Sequence, residues 1–136
     1  MKTTLKNYLI LFVFCFLNIY NSFAQSKTEG LKMFVEKKEK AFTDEGDYMR
    51  LAFQLSGLDY EQSTKPFIEK ALLVPEIKKL NISNITDQNG KRAGFVLLQK
   101  DKHLTALTTT LNILQVSEIN VDTEKIDIPG YIEMCK

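Results

Sequence analysis

The residues that could bind a soft metal ion lie at the C-terminal end of the chain and at its single histidine. Met134 and Cys135 are adjacent and offer a thioether and a thiolate, and His103 offers an imidazole. Sulfur and imidazole ligands suit copper and zinc, so these three residues are candidate metal ligands if folding brings them together. The alternatives for Cys135 are an exposed thiol and a cross-link between chains.

The first 24 residues predict a Sec-type signal peptide. Two lysines precede an apolar segment, residues 8–17, that is too short to span a bilayer. Ser22 and Ala24 supply the small residues of a cleavage site, which makes Gln25 the mature N-terminus; an uncleaved anchor is the alternative. Apolar residues on both sides of Cys15 argue against a lipoprotein. We therefore expect a periplasmic or secreted protein with no stable membrane anchor after cleavage.

Cleavage would leave 112 of the 136 residues, which is the length of one domain. The formal net charge of +1 would become −1, because the removed segment carries two lysines and no acid. A nearly neutral domain has no net field that attracts nucleic acid, so we expect no nucleic-acid partner. One cysteine would remain, and it cannot form a disulfide within the chain.

Hydrophobic periodicity predicts the elements that position these residues. Leu31, Phe34, Val35 and Phe42 fall near helical spacing, which predicts an N-terminal helix over residues 29–43. Further on, helices are predicted to begin at Ser63 or Thr64 and at Asp101, and alternating or continuous apolar segments predict strands over 48–55, 77–86, 92–99 and 117–121.

This order predicts an α+β fold, the ferredoxin-like βαββαβ sandwich, in which an antiparallel four-stranded sheet carries two helices on one face. The N-terminal helix would be an addition to it. The expected organisation is a helix and linker over 25–47, the ferredoxin-like domain over 48–128, and a C-terminal tail over 129–136 that follows a chain break at Pro129-Gly130.

One stretch of the chain has a family pattern: Gly57-Leu58 follow a predicted strand, residues 68–72 read IEKAL, and residues 74–77 read VPEI. In these residues the chain resembles the heavy-metal-associated domain of copper chaperones and metal-pumping ATPases. That family has a strand, a GMTCxxC loop, a helix that often contains IEKAL, and a loop similar to LPGV, so Gly57-Leu58 stand where the family has Gly-Met. The similarity extends loosely over 48–121, and the spacing from Gly57 to IEKAL is one residue longer than usual.

The metal-binding pattern of the family is missing. The equivalent loop contains Gly57, Leu58, Asp59, Tyr60 and Ser63, and the chain has no CxxC motif. Tyrosine and serine oxygens are hard ligands that cannot replace a thiolate pair around Cu(I). The resemblance therefore implies the fold of the family without its metal-binding loop.

Two functions follow as hypotheses. The first is a non-enzymatic binding module that contacts a protein partner, or a second copy of itself, through the sheet face, the sheet edges or the loop Gly57–Thr64. The alternative is copper or zinc handling through Met134, Cys135 and His103. We expect no enzyme activity and no resident cofactor, because no nucleophile–base pair or phosphate-binding loop can be named.

Overall fold

Alternating apolar residues build one mixed sheet in the described part of the chain, residues 30–136 of a computed structural model. The predicted signal peptide lies outside the described residues. The strands are β1 (Leu31–Val35), β2 (Phe42–Glu45), β3 (Tyr48–Ser56), β4 (Ile77–Ile82), β5 (Lys91–Gln99), β6 (Val116–Val121) and β7 (Glu124–Ile126). The helices are α1 (Lys38–Ala41), α2 (Lys65–Leu72), α3 (His103–Ile113) and α4 (Ile128–Met134).

The strand order is β4-β5-β3-β1-β6-β7, and β2 also pairs with β3. Only β1 and β6 run parallel to each other; the other described pairs are antiparallel. On one side of β3, β2 pairs with residues 48–51 and β1 pairs with residues 54–56. The pairing on that side is therefore interrupted at Ala52 and Phe53, where α1 separates β1 from β2.

The predicted N-terminal helix is wrong. Leu31, Met33 and Val35 alternate with more exposed residues and are at most 7% exposed, so this segment has the period of a strand. The helical spacing of Phe34 is coincidental, because its side chain lies on the other face of the sheet. Pairing with β3 on one edge and β6 on the other satisfies the backbone of β1, and this tertiary pairing outweighs local helical preference.

The α+β class is confirmed, and the strands and helices predicted over residues 48–121 form in the expected order, although β4 ends at Ile82 instead of residue 86. The sheet has seven strands where four were expected in the core, and β1 lies between β3 and β6. Among the described residues, no helix has the length and apolar character needed to cross a membrane.

The expected chain break at Pro129-Gly130 is also wrong. Both residues lie in the first turn of α4, where a proline needs no N–H partner. The Asp127 carboxylate caps this helix by accepting a hydrogen bond from the Gly130 N–H at 2.9 Å. The predicted tail is therefore an amphipathic helix that buries Tyr131 and Cys135 in the core.

The core lies on one side of the sheet, under α2, α3 and α4. Each strand from β1 to β6, except β2, turns its buried side chains to these helices, and the three helices contact one another in the order α2, α3, α4. The centre of this layer is fully buried and consists of Met33, Leu51, Leu55, Val96, Leu98, Leu107, Leu111, Leu114 and Ile119. The opposite surface of the sheet is not covered by these three helices, and we call it the open face. It carries the side chains of Phe34, Ala52, Gln54, Ala93 and Phe95.

Candidate functional site

A buried arginine on β5 forms hydrogen bonds with the loop between β3 and α2. Arg92 on β5 is 1% exposed, and its guanidinium donates a hydrogen bond to the carbonyl oxygen of Asp59 at 2.6 Å. It also donates to the carbonyl oxygens of Tyr60 and Gln62, each at 2.9 Å. Arginine suits this position because its planar group directs several donors at once. The guanidinium therefore fixes the conformation of a loop that has no regular secondary structure.

The predicted loop residues divide between structural and exposed positions. Gly57 has a φ of +101°, a conformation that favours glycine, and Leu58 is buried in the core. Asp59, Tyr60 and Ser63 are exposed, and the Ser63 hydroxyl accepts a hydrogen bond from the first N–H of α2 at 3.3 Å. The loop therefore presents exposed polar side chains above a buried guanidinium that is hydrogen-bonded to its carbonyl oxygens.

Arg92 was not identified from the sequence, although a signal was present. It begins the apolar segment RAGFVLLQ, in which every second residue from Arg92 to Leu98 turns to the helix layer. A charged residue in register with Val96 and Leu98 is buried, and buried charges need hydrogen-bond partners. The partners could not be identified, because they are backbone carbonyls separated from Arg92 by about thirty residues.

The three candidate metal ligands lie in different surroundings. Cys135 is 7% exposed within the core, whereas Met134 is 40% exposed and faces the turn after β6. His103 begins α3, where its Nδ1 lies 2.7 Å from the carbonyl oxygen of Lys100 and its ring packs edge-on against Phe42. The exposed-thiol alternative for Cys135 is therefore wrong. The described residues contain no group of three or more His, Cys, Asp or Glu side chains that could hold a metal ion.

Tyr131 and Cys135 lie one turn apart on α4. Burial raises the pKa of the Tyr131 phenol, and the neighbouring Cys135 thiol raises it further. Among the described residues, no oxygen or nitrogen atom accepts or donates a hydrogen bond at the Tyr131 hydroxyl. The thiol is therefore the polar neighbour of this buried hydroxyl, and the pair contributes to the packing of α4 on the sheet.

Two phenylalanine rings on the open face are covered by cations. The Arg50 guanidinium lies 4.1 Å from the centre of the Phe95 ring, and the Lys79 ammonium lies 5.5 Å from the same centre. The Lys91 ammonium lies 3.6 Å from the centre of the Phe34 ring. A cation over an aromatic face is attracted to the negative charge of the π system. The rings therefore hold three long basic side chains against the sheet.

The side chains between the two rings are small, so the surface there is recessed relative to the rings. Ala52 and Ala93 are exposed there, and Gln54 lies between the strands that carry Phe34 and Phe95. A depression of about 460 Å³ lies beside them, and its lining includes Phe34, Ala52, Gln54 and Lys91 together with the acidic residues Glu36 and Asp122. It lies at Ala52 and Phe53, where neither β1 nor β2 pairs with β3.

A larger groove, of about 780 Å³, lies at the other end of the sheet. It runs between the turn before β3 and the start of β4 and includes Leu72, which is 55% exposed. Two acidic and two basic residues are mixed along its walls, namely Asp47, Asp101, Lys78 and Lys100. These four charges cancel, so the groove favours neither an anionic nor a cationic ligand.

Comparison of the chain with protein-family models, with curated proteins and with solved structures gives no match.

Proposed function

We propose that this protein is an exported, non-enzymatic binding module that contacts a protein partner through its open face. The observation that carries this proposal is the pair of cation-covered rings, Phe34 with Lys91 and Phe95 with Arg50. Exposed arginine and aromatic side chains are enriched where proteins bind each other. A face that already holds these side chains in place loses less conformational entropy on binding than a flexible one does.

The proposed architecture is a ferredoxin-like core to which β1 has been added. The chain order β3-α2-β4-β5-α3-β6 follows the βαββαβ pattern, and in space β1 separates β6 from β3. A degenerate heavy-metal-associated domain agrees with this order. The support for degeneracy is the loop itself, where a buried guanidinium lies under the position at which the family holds its metal ion.

The sheet edges give less support to binding by strand addition. The outer strand β4 carries Lys78 and Lys79 and an irregular register between Ile77 and Lys79, and β7 has three residues. Lysines, irregular pairing and short strands are the features that prevent edge-to-edge association. Metal handling through Met134, Cys135 and His103 remains the alternative, with less support because their surroundings differ.

Site-specific photo-crosslinking in the cells that produce the protein tests the proposal. A photoreactive amino acid is placed at Ala52 or Ala93 on the open face, and at the exposed Glu69 or Asn112 on the helix side as matched controls. We expect discrete protein adducts from the open-face positions alone. Adducts that form only from the helix side, or equally from both sides, would contradict binding through the open face.

A further inference from the structure

We infer that the open face binds an extended acidic segment of its partner, a conclusion that rests on the proposed function. The segment would present carboxylates to the basic side chains and small or aliphatic side chains to the low surface between them. The reasons are the sign of the charge on this face, the way its cations are held, their spacing and the shape of the surface that separates them.

The charge of the open face differs in sign from that of the mature chain. Within the strands, register places five basic residues and two acidic residues on this face: Lys32, Arg50, Lys79, Lys91 and Lys125 against Glu45 and Glu118. The depression beside Phe34 adds Glu36, and it adds Asp122, whose carboxylate lies 3.7 Å from the Lys37 ammonium. Glu36 therefore reduces the excess on this face from three positive charges to two. The predicted mature chain has a formal net charge of −1. The positive charge is therefore concentrated on the surface that the helices leave open, where it attracts an acidic partner and orients it.

The two acidic residues on the strands of this face are already paired, whereas Lys79 on the outer strand β4 and Lys91 on β5 are not paired with a carboxylate. Glu45 lies 3.5 Å from Arg50, and Glu118 lies 2.5 Å from Lys125. Among the described residues, neither Lys79 nor Lys91 forms an ion pair with a carboxylate. Both instead lie over phenylalanine rings, so their ammonium groups are positioned and can still accept an external carboxylate as partner.

The distance between the two cation-covered rings, Phe34 and Phe95, matches the spacing of side chains along an extended peptide. Phe34 pairs with Gln54, and Phe95 pairs with Ala52, so the two rings are two strands apart and offset by two residues. Standard sheet dimensions then place them about 12 Å apart. Side chains four residues apart on an extended chain point to the same side and are separated by about 13 Å. Two carboxylates at this spacing can reach the two cation-covered rings together.

The surface between the rings suits the middle of such a segment. Ala52 and Ala93 raise no barrier, and Gln54 offers both a hydrogen-bond donor and an acceptor to a peptide backbone. A side chain midway between the two carboxylates would lie over the alanines and the adjoining depression of about 460 Å³. An aliphatic side chain there removes apolar surface from water.

The test uses the mature chain and a labelled peptide with the repeat Glu-Ser-Val-Ser, which places glutamates four residues apart and a valine midway between them on the same side. The matched peptide has the repeat Gln-Ser-Val-Ser. We expect saturable binding of the glutamate peptide in fluorescence anisotropy, and weaker binding at high salt. The double substitution Lys79→Gln with Lys91→Gln removes the two lysines that lie over the rings without a carboxylate partner, and it should weaken binding by about tenfold or more.

A control variant removes the same charge from the helix side, by Lys65→Gln with Lys70→Gln, and should bind within about twofold of the wild type. Equal binding of the glutamine peptide, or equal loss in the control variant, would overturn the inference. Tighter binding of an acidic oligosaccharide or of anionic lipid vesicles, abolished by the open-face variant, would replace the peptide as the partner class. In each of these cases adducts from Ala52 and Ala93 can still form, so the proposed function is tested separately.

Discussion

The ammonium group of Lys91 lies 3.6 Å from the centre of the Phe34 ring and thereby joins two strands that are not neighbours in the sheet. Lys91 begins β5 and Phe34 is on β1, with β3 between them. The contact crosses a whole strand on a surface that is open to solvent. It connects β1, which the sequence pattern predicts as a helix, with β5, which the pattern predicts as a strand.

This contact should stabilise the fold by a small, measurable amount. Lys91→Ala is expected to lower the free energy of unfolding by about 0.5–1 kcal/mol, the usual contribution of a cation over a ring at a partly exposed site. Lys91→Arg should retain most of it, since the guanidinium can also stack on the ring. Urea unfolding of Lys91→Ala, Phe34→Leu and the double variant measures the coupling. Additive losses would show that the two side chains do not interact.

Arg92 should make a large contribution to the stability of the β3–α2 loop. Arg92→Met removes the donors to the carbonyls of Asp59, Tyr60 and Gln62 and should destabilise the protein by about 2–4 kcal/mol. Arg92→Lys should not restore stability, because the three donors of a lysine share one nitrogen, whereas Arg92 reaches the three carbonyl oxygens from two nitrogens of a planar group. Urea unfolding gives the global loss, and amide hydrogen exchange at the N–H of Gln62, which bonds to the Asp59 carbonyl, reports the loop. Unchanged exchange in Arg92→Met would contradict this role.

The sequence pattern predicts correctly those elements in which the spacing of apolar residues matches the spacing of buried positions. In β3 the apolar residues alternate in the sequence, and their burial alternates from Leu51 to Leu55; α3 carries leucines at steps of three and four, two of which are buried within the helix. The N-terminal segment was misassigned because Leu31, Phe34 and Val35 satisfy a helical period by chance. Its strand period is carried by three residues, and only pairing with β3 and β6 decides between the two.

The sequence predicts a sheet face, the sheet edges or the loop Gly57–Thr64 as binding surfaces, but it does not predict the chemistry of the open face. The pairs that define it, Lys91 with Phe34 and Arg50 with Phe95, depend on which strands are adjacent. Strand order in a sheet is set by long-range contacts that a single sequence does not display. For the same reason the sequence does not predict the position of Cys135 in the core, because its burial depends on how α4 packs against the sheet.

Gly94 should tolerate no side chain. A Cβ atom there would lie 2.6 Å from the Phe53 ring and 2.7 Å from the carbonyl oxygen of Asn81, and the second contact is with backbone. Gly94→Ala should therefore cost about 1–3 kcal/mol, the usual range for overpacking. Phe53→Leu in the same chain should restore only part of the loss. Gly46→Ala is the matched control, because its φ of +75° is strained but its surroundings are empty. A smaller loss at Gly94 than at Gly46 would contradict the close approach.

The ion pair between Glu118 and Lys125 predicts a pH dependence of stability. The Lys125 ammonium, with help from the Asn120 amide, holds the pKa of Glu118 below its ordinary value of 4.5. A lowered pKa means that the ionised group stabilises the folded state above pH 4.5 and that this contribution is lost as the pH falls through the folded-state pKa. Wild type and Glu118→Gln should therefore differ near neutral pH and converge in acid.

The control for this prediction is the same comparison in a chain that carries Lys125→Met. Since Lys125 is the main cause of the lowered pKa, the stability difference between chains with and without Glu118→Gln should depend less on pH in that background. Thermal unfolding between pH 3 and pH 7 follows both series and spans the ordinary titration range of a carboxyl group. An unchanged pH dependence without Lys125 would mean that another group controls this carboxylate.

Copper binding separates the proposed binding module from the soft-metal alternative. Cys135 is buried beside Tyr131, and Met134 faces a different surface, so a Cu(I) ion would find at most one sulfur ligand without local unfolding of α4. Cu(I) binds tightly where two or more soft ligands converge.

We therefore expect the reduced mature chain to bind less than one equivalent of Cu(I) in competition with a chelator, and Cys135→Ser to give the same result. Addition of urea should raise the binding of wild type alone, because unfolding exposes the thiol. Stoichiometric binding by the folded chain that is lost in Cys135→Ser would instead make metal handling the leading function.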